Sequence, residues 1–141
     1  MAELTQEILV KASPATIFEF LTIPEKLIEW NGSEAELDPR PGGIYRVLMG
    51  NGHQAVGEFV EVAADERVVF TFGWDQPDHP IPAGSTKVEI TLIPEGESTR
   101  VRLVHSGLPA DAVTDHTKGW EHYLNRLGVV ASGGHVEPEQ Q

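Results

Sequence analysis

The chain has 141 residues, 22 acidic against 10 Lys and Arg, and a formal net charge of -12, and at this length one folding unit buries roughly two-thirds of its unfolded surface. With the basic residues scattered singly, that acidic excess argues against nucleic acid or an anionic membrane face as partner, because neither supplies countercharge to carboxylates. The lack of cysteine excludes disulfide frameworks, thiolate nucleophiles and cysteine-held metal clusters.

In chain order, Met1 to Glu7 carries acids where a signal peptide carries bases. No apolar run approaches the ~20 residues of a membrane span, so a soluble cytoplasmic protein is expected. Leu4 to Val10 is short and apolar, a strand, and it ends at Ser13-Pro14, the N-cap and first-turn pair that opens a helix. Ile17, Phe18 and Leu21 give helical spacing, Pro24 breaks the run, and Leu27, Ile28 and Trp30 suggest a second short helical turn. Asn31-Gly32 then turns the chain into residues 33–38, and Pro39-Arg40-Pro41-Gly42-Gly43 reads as a tight loop.

Residues 44 to 106 carry the strand signal. Ile44, Arg46 and Leu48 alternate with Tyr45, Val47 and Met49, and Gly50-Asn51-Gly52 makes a hairpin turn into Gln54 to Val62. Asp65-Glu66 turns again, Arg67 to Trp74 forms the next strand, and the loop with Pro77, Pro80, Pro82 and Gly84 is too rich in proline to join a ladder. Thr86 to Ile93 and Thr99 to Ser106 follow, joined across Pro94-Glu95-Gly96-Glu97, which completes an antiparallel meander with one buried face.

After Gly107-Leu108-Pro109 the period changes. Val113, Thr117, Trp120, Leu124, Leu127 and Ala131 recur at steps of 4 and 3, which puts them on one stripe of a helix about five turns long. Asp111 and Asp115 near its start and Arg126 near its end match the helix dipole. Residues 132–141 cannot bury anything and are expected to be a flexible C-terminal tail beyond a single domain of residues 1–131.

The fold class is therefore α+β: a strand, two short helices, a curved antiparallel sheet and a long C-terminal helix that the sheet grips. The order of Ser13-Pro14, Trp30, Pro41-Gly42-Gly43, Arg67-Val68-Val69-Phe70-Thr71-Phe72 and Gly119-Trp120 with Leu124 and Leu127 resembles the START-like (SRPBCC, Bet v 1-like) superfamily. Within it, the chain is most similar to the family named after the C-terminal domain of the heat-shock-protein-90 ATPase activator. The likeness covers residues 4 to about 131. It departs from the commonest pattern at Trp30-Asn31-Gly32, where a second aromatic often follows the first Trp.

The resemblance implies a helix-grip fold whose cavity, between long helix and concave sheet, holds an apolar small molecule in many relatives. Strand parity agrees: Val68, Phe70, Phe72 and Trp74 share one face, as do Val88, Ile90 and Leu92, and as do Val101, Leu103 and His105. Candidate ligand contacts are Phe59, Phe70, Phe72 and Trp74 from the sheet, Trp120 and Leu124 from the helix, and Trp30 at the entrance. His105 shares the parity of the chamber-facing residues, either as a polar group toward a ligand or as a satisfied structural histidine. Arg46 is an inward cation if its strand is phased one way; phased the other, Arg46 is solvated and Tyr45 lies inside. His116, Trp120 and Tyr123 can share a helical face at the chamber mouth.

No catalytic motif is present. Glu58, Glu61 and Glu89 are carboxylate candidates by position, with solvent-face residence the ordinary explanation. His116 and His122 are wrongly spaced to share a metal, no His-Glu-x-x-His run occurs, and neither metal nor cofactor is expected. Three functions remain in view. The first is a non-enzymatic carrier or sensor of an apolar or amphipathic molecule. The second is a cyclase, dehydratase or hydrolase-like enzyme using His105, Arg46 and Tyr123. The third, on the resemblance, is a co-chaperone-like module tied to the stress response. The exposed strand edges of such a sheet also permit a homodimer.

Overall fold

The computed structural model describes residues 2–49, 52–76 and 78–136. Strand β1 (Ala2–Val10) leads to Ser13, whose hydroxyl accepts the Thr16 N–H at 3.1 Å, and Pro14 opens α1 (Pro14–Thr22) as the Ser-Pro pair predicts. Pro24 ends that helix and starts α2 (Pro24–Leu27). The chain continues through β2 (Glu34–Leu37), β3 (Ile44–Leu48), β4 (Gln54–Ala63), β5 (Arg67–Phe72), β6 (Thr86–Glu95) and β7 (Ser98–Leu108). A 3₁₀ turn at Ala110–Ala112 then feeds α3 (Val113–Ala131).

The seven strands form one curved antiparallel sheet in the order β1-β7-β6-β5-β4-β3-β2, with α3 across its concave face: the α+β helix-grip fold. A register shift between Phe59 and Glu61 leaves Val60 as an extra residue in β4, and such a bulge strengthens the local twist. On the outer face, Arg67 pairs with Glu61 and Glu89, and Arg100 and Arg102 pair with Glu7. Those exposed pairs each contribute little to stability but keep that face wet.

Several expectations needed adjustment. Residues 34–37 form an edge strand against β3, a pairing that their short, acidic run does not announce. The β6–β7 ladder runs further than expected, with Pro94 opposite Thr99 and Glu95 opposite Ser98, so the turn narrows to Gly96-Glu97, with Gly96 at φ 65°. The proline-rich loop does reach the sheet: Trp74 bridges Ala55 and Pro82, its N–H donating to the Ile81 carbonyl, so no proline N–H is needed. Val136 packs half-buried against the core, whereas its tail was expected to bury nothing. Gly50 and Asn51 of the expected hairpin turn, Pro77, and residues 137–141 of the tail lie outside the described residues.

Among the described residues no helix is long and apolar enough to cross a membrane.

A cavity under the first half of the long helix

Side-chain size explains why the interior is filled at one end and open at the other. Along the second half of α3, Leu124, Leu127 and Ala131 are buried in one core with Ile17 and Leu21 of α1 and Ile90 and Leu103 of the sheet. Along its first half the helix offers Gly119 and Asp115, the turn before it offers Ala112, and strand β4 offers Ala55, so apolar volume is missing. A cavity of about 470 Å³ remains there. Its walls include Tyr45 and Val47 of β3, Ala55, Phe72, Trp74, Ile81 and, from the helix, His116, Trp120 and Tyr123.

The outer wall depends on Gly73. A Cβ on this residue would stand 1.7 Å from the Pro82 carbonyl oxygen, so only glycine lets the loop close onto Trp74. Gly73→Ala is expected to lower stability by about 2 kcal/mol through forced separation of the two segments, checked by urea denaturation. A stability equal to wild type would mean that the loop is not held this way.

At the back of the cavity, His105 sits in a fully assigned chain of hydrogen bonds. The Trp120 indole Nε1–H donates to His105 Nδ1 at 3.0 Å. The Thr86 hydroxyl donates to the Phe72 carbonyl at 2.6 Å and so accepts from His105 Nε2–H at 2.8 Å. Both ring nitrogens are committed, and the imidazole is the neutral Nε2–H tautomer. Burial, helped by the neighbouring His116, pushes its pKa down to about 3. His116 lies 5.6 Å away, ring to ring, with Nδ1 against the Ala112 carbonyl at 3.0 Å.

Of the residues singled out in the sequence, Tyr45, Phe72, Trp74, His116, Trp120 and Tyr123 line the cavity. Phe59 and Phe70 stand behind Tyr45 and fix its ring, Phe70 stacked at 3.9 Å and Phe59 edge-on at 5.8 Å between centroids. Burial of Tyr45 pushes its hydroxyl pKa up, which keeps the phenol neutral. Leu124 belongs to the filled core. Trp30 is buried away from the cavity and donates its indole N–H to the Phe20 carbonyl at 2.9 Å. Of the two phases open for β3, the structure has the one with Tyr45 and Val47 inside, so Arg46 is no ligand contact and lies on the exposed face paired with Glu36. Glu58 is exposed, and Glu61 and Glu89 belong to the Arg67 pairs of the outer face.

Sequence reasoning missed Asn31, Val47, Met49, His53, His79 and Ile81 as lining residues. Val47 and Met49 follow from Tyr45 once the inward phase is known. Asn31, beside Gly32, reads as a turn residue, and His79 and Ile81 lie in a loop whose prolines erase any periodicity. Among the described residues, no group of three or more His, Asp or Glu is placed to hold a metal ion.

No curated protein matches the chain. Among solved structures, an AHSA1-like protein from Rhizobium etli is 43% identical, with 97% of this chain covering 86% of that one at a TM-score of 0.76. The Aha1 dimer from Colwellia psychrerythraea matches at 20% identity over 95% of this chain and 98% of that one, TM-score 0.82. An HSP90 activator from Plasmodium falciparum matches at 22% identity over 92% and 96%, TM-score 0.75. These last two are alike in fold. The family described as activator of Hsp90 ATPase homolog 1-like protein matches residues 11–132, and the chain therefore belongs to that family, with the START/Bet v 1-like fold.

Proposed function

We propose that the chain binds an apolar or amphipathic small molecule in the cavity beneath the first half of α3, as a carrier or sensor. The observation that carries this reading is an unfilled space of about 470 Å³, walled by Phe72, Trp74, Trp120, Tyr45 and Ile81, in an interior otherwise closely filled. A ligand hiding about 300 Å² of apolar surface there gains about 7 kcal/mol before association costs, which leaves affinity in the micromolar range. An enzymatic use of the cavity is less favoured. His105, Arg46 and Tyr123 do not converge, since Arg46 is on the outer face and both nitrogens of His105 are engaged.

N-phenyl-1-naphthylamine, an uncharged fluorophore that brightens in apolar surroundings, tests the reading. Saturable brightening, quenching of Trp74 and Trp120, and a rise in melting temperature that follows RT ln(1 + [L]/Kd) are expected. No brightening and no thermal shift at millimolar probe would contradict it.

A second reading rests on the family. The Plasmodium relative is an HSP90 activator and the Colwellia relative a dimer, so a chaperone partner and a homodimer are proposed for this chain as a co-chaperone-like module. The exposed large apolar residues described here, Leu9, Ile23, Val60 and Val129, are spread over four different elements or their junctions. Sedimentation of the pure chain, and a pull-down with purified Hsp90, distinguish this reading from the first. The cytoplasmic location belongs to the same proposal, and cell fractionation checks it.

A further inference from the structure

Tyr45 is only 2% exposed, its ring is fixed against Phe70 and Phe59, and burial pushes its hydroxyl pKa up, so the phenol stays a neutral O–H. Among the described residues none takes up that hydroxyl in a hydrogen bond. A polar group so deep in an interior ordinarily has a partner. The described side-chain polar atoms that lack a partner and are also closed to water are Asn31 Oδ1 and Arg67 Nε. The Tyr45 hydroxyl is not one of them, so it touches open space. Because Tyr45 points inward from β3 and lines the cavity, that space is the chamber.

The chemistry of a lone phenol narrows what can meet it. A phenolic O–H donates more readily than its oxygen accepts. A carbonyl oxygen answers such a donor with no hydrogen of its own to place, whereas a ligand hydroxyl brings a second O–H that needs an acceptor in turn. Val47, Ala55 and Phe72, which share the lining with Tyr45, offer no side-chain acceptor. A carboxylate would have to leave water for a chamber whose described lining includes neither Lys nor Arg.

Resting on the binding function proposed above, we infer that the ligand is an uncharged, largely apolar molecule bearing a ketone, aldehyde or ester carbonyl, and that its carbonyl oxygen accepts the Tyr45 O–H. The apolar body lies against Phe72, Trp74 and Trp120. Tyr45 is then the residue that sets selectivity. Its ring belongs to the core and its hydroxyl serves the ligand, since removing that oxygen breaks no hydrogen bond within the described protein.

The test uses three probes of nearly one shape: 2-acetonaphthone, 2-isopropenylnaphthalene, in which a CH₂ group replaces the carbonyl oxygen, and 1-(2-naphthyl)ethanol. Each is titrated by calorimetry into the full chain and into Tyr45→Phe. In the wild type the ketone is expected to bind more tightly than the alkene and the alcohol. The ketone-to-alkene affinity ratio is expected to be at least about tenfold higher in the wild type than in Tyr45→Phe. The variant is expected to melt at or above the wild-type temperature, which a tyrosine hydroxyl with a structural partner would not allow. The infrared carbonyl stretch of the bound ketone is expected at lower wavenumber than in hydrocarbon solvent, a readout that stands on the wild type alone. A ratio unchanged by Tyr45→Phe, an alcohol that binds as tightly as the ketone, a variant melting about 4 °C or more below wild type, or an unshifted carbonyl stretch would overturn the inference while cavity binding stands. Failure of all three probes to bind would instead overturn the binding function on which it rests.

Discussion

Trp120→Ala is expected to cost about 3–5 kcal/mol of folding stability, the range for removing a large buried aromatic. Trp120 is buried, tilted against Phe72 at 6.1 Å between centroids, and the donor to His105 Nδ1. Its loss removes packing, enlarges the existing cavity and leaves a buried imidazole acceptor unpaired. Trp120→Phe separates these effects. It keeps most of the ring and removes the hydrogen bond, so a smaller loss of about 1–3 kcal/mol is expected. Chemical denaturation at pH 7.5 measures both. If the two variants are equally destabilised, the cost lies in the hydrogen bond alone; if both match wild type, Trp120 is not part of the core.

Wild-type stability is expected to fall as pH drops from about 6.5 toward 3 because of His105 alone, at a slope of up to about 1.4 kcal/mol per pH unit. The sign follows from burial. The folded-state pKa is pushed below the ordinary histidine value of 6.5 to about 3, so between these values the unfolded chain binds a proton that the folded chain refuses. The stabilisation is complete above about 6.5 and is lost as pH falls. Protonation would also put a hydrogen on Nδ1 facing the Trp120 N–H, donor against donor. Denaturation at pH 6.5 and 5.0 should show wild type losing about 2 kcal/mol more than His105→Gln, the other five histidines being common to both chains. Parallel pH profiles would mean that His105 is solvated or already charged in the folded protein.

Much of the fold was legible because two periods were clean. Val68, Phe70 and Phe72 on alternate positions, and Trp120, Leu124 and Leu127 on one helical stripe, all proved buried. The Ser13-Pro14 signal works through a single local hydrogen bond and a fixed proline φ, so it too can be read without tertiary context. The site was harder. In β3 both parities carry apolar residues, and the inward phase is decided by Tyr45 finding Phe59 and Phe70, partners contributed by other strands. Leu124 and Phe70 were expected at the ligand because they share faces with true lining residues. Phe70 instead stands behind the Tyr45 ring, and Leu124 is buried in the core. What opens the cavity is a set of absences, Gly119, Ala112 and Ala55 in its lining, and missing volume leaves no hydrophobic signal. Asn31 and the 78–82 loop were beyond reach because their role comes from chain crossings at Gly32 and Gly73.

Gly119 also supplies the most direct measurement of whether this cavity is the binding site. It lines the space, a Cβ there would meet no atom within 4 Å, and it lies in the middle of α3. Leucine fits a helix better than glycine by about 0.5–1 kcal/mol, and its side chain would occupy the volume a ligand needs. Titration of N-phenyl-1-naphthylamine into wild type and Gly119→Leu is expected to show binding weakened at least about tenfold in a variant whose melting temperature is unchanged or raised. Equal affinity for the probe in the two chains, with the variant folded, would place binding elsewhere and contradict the account.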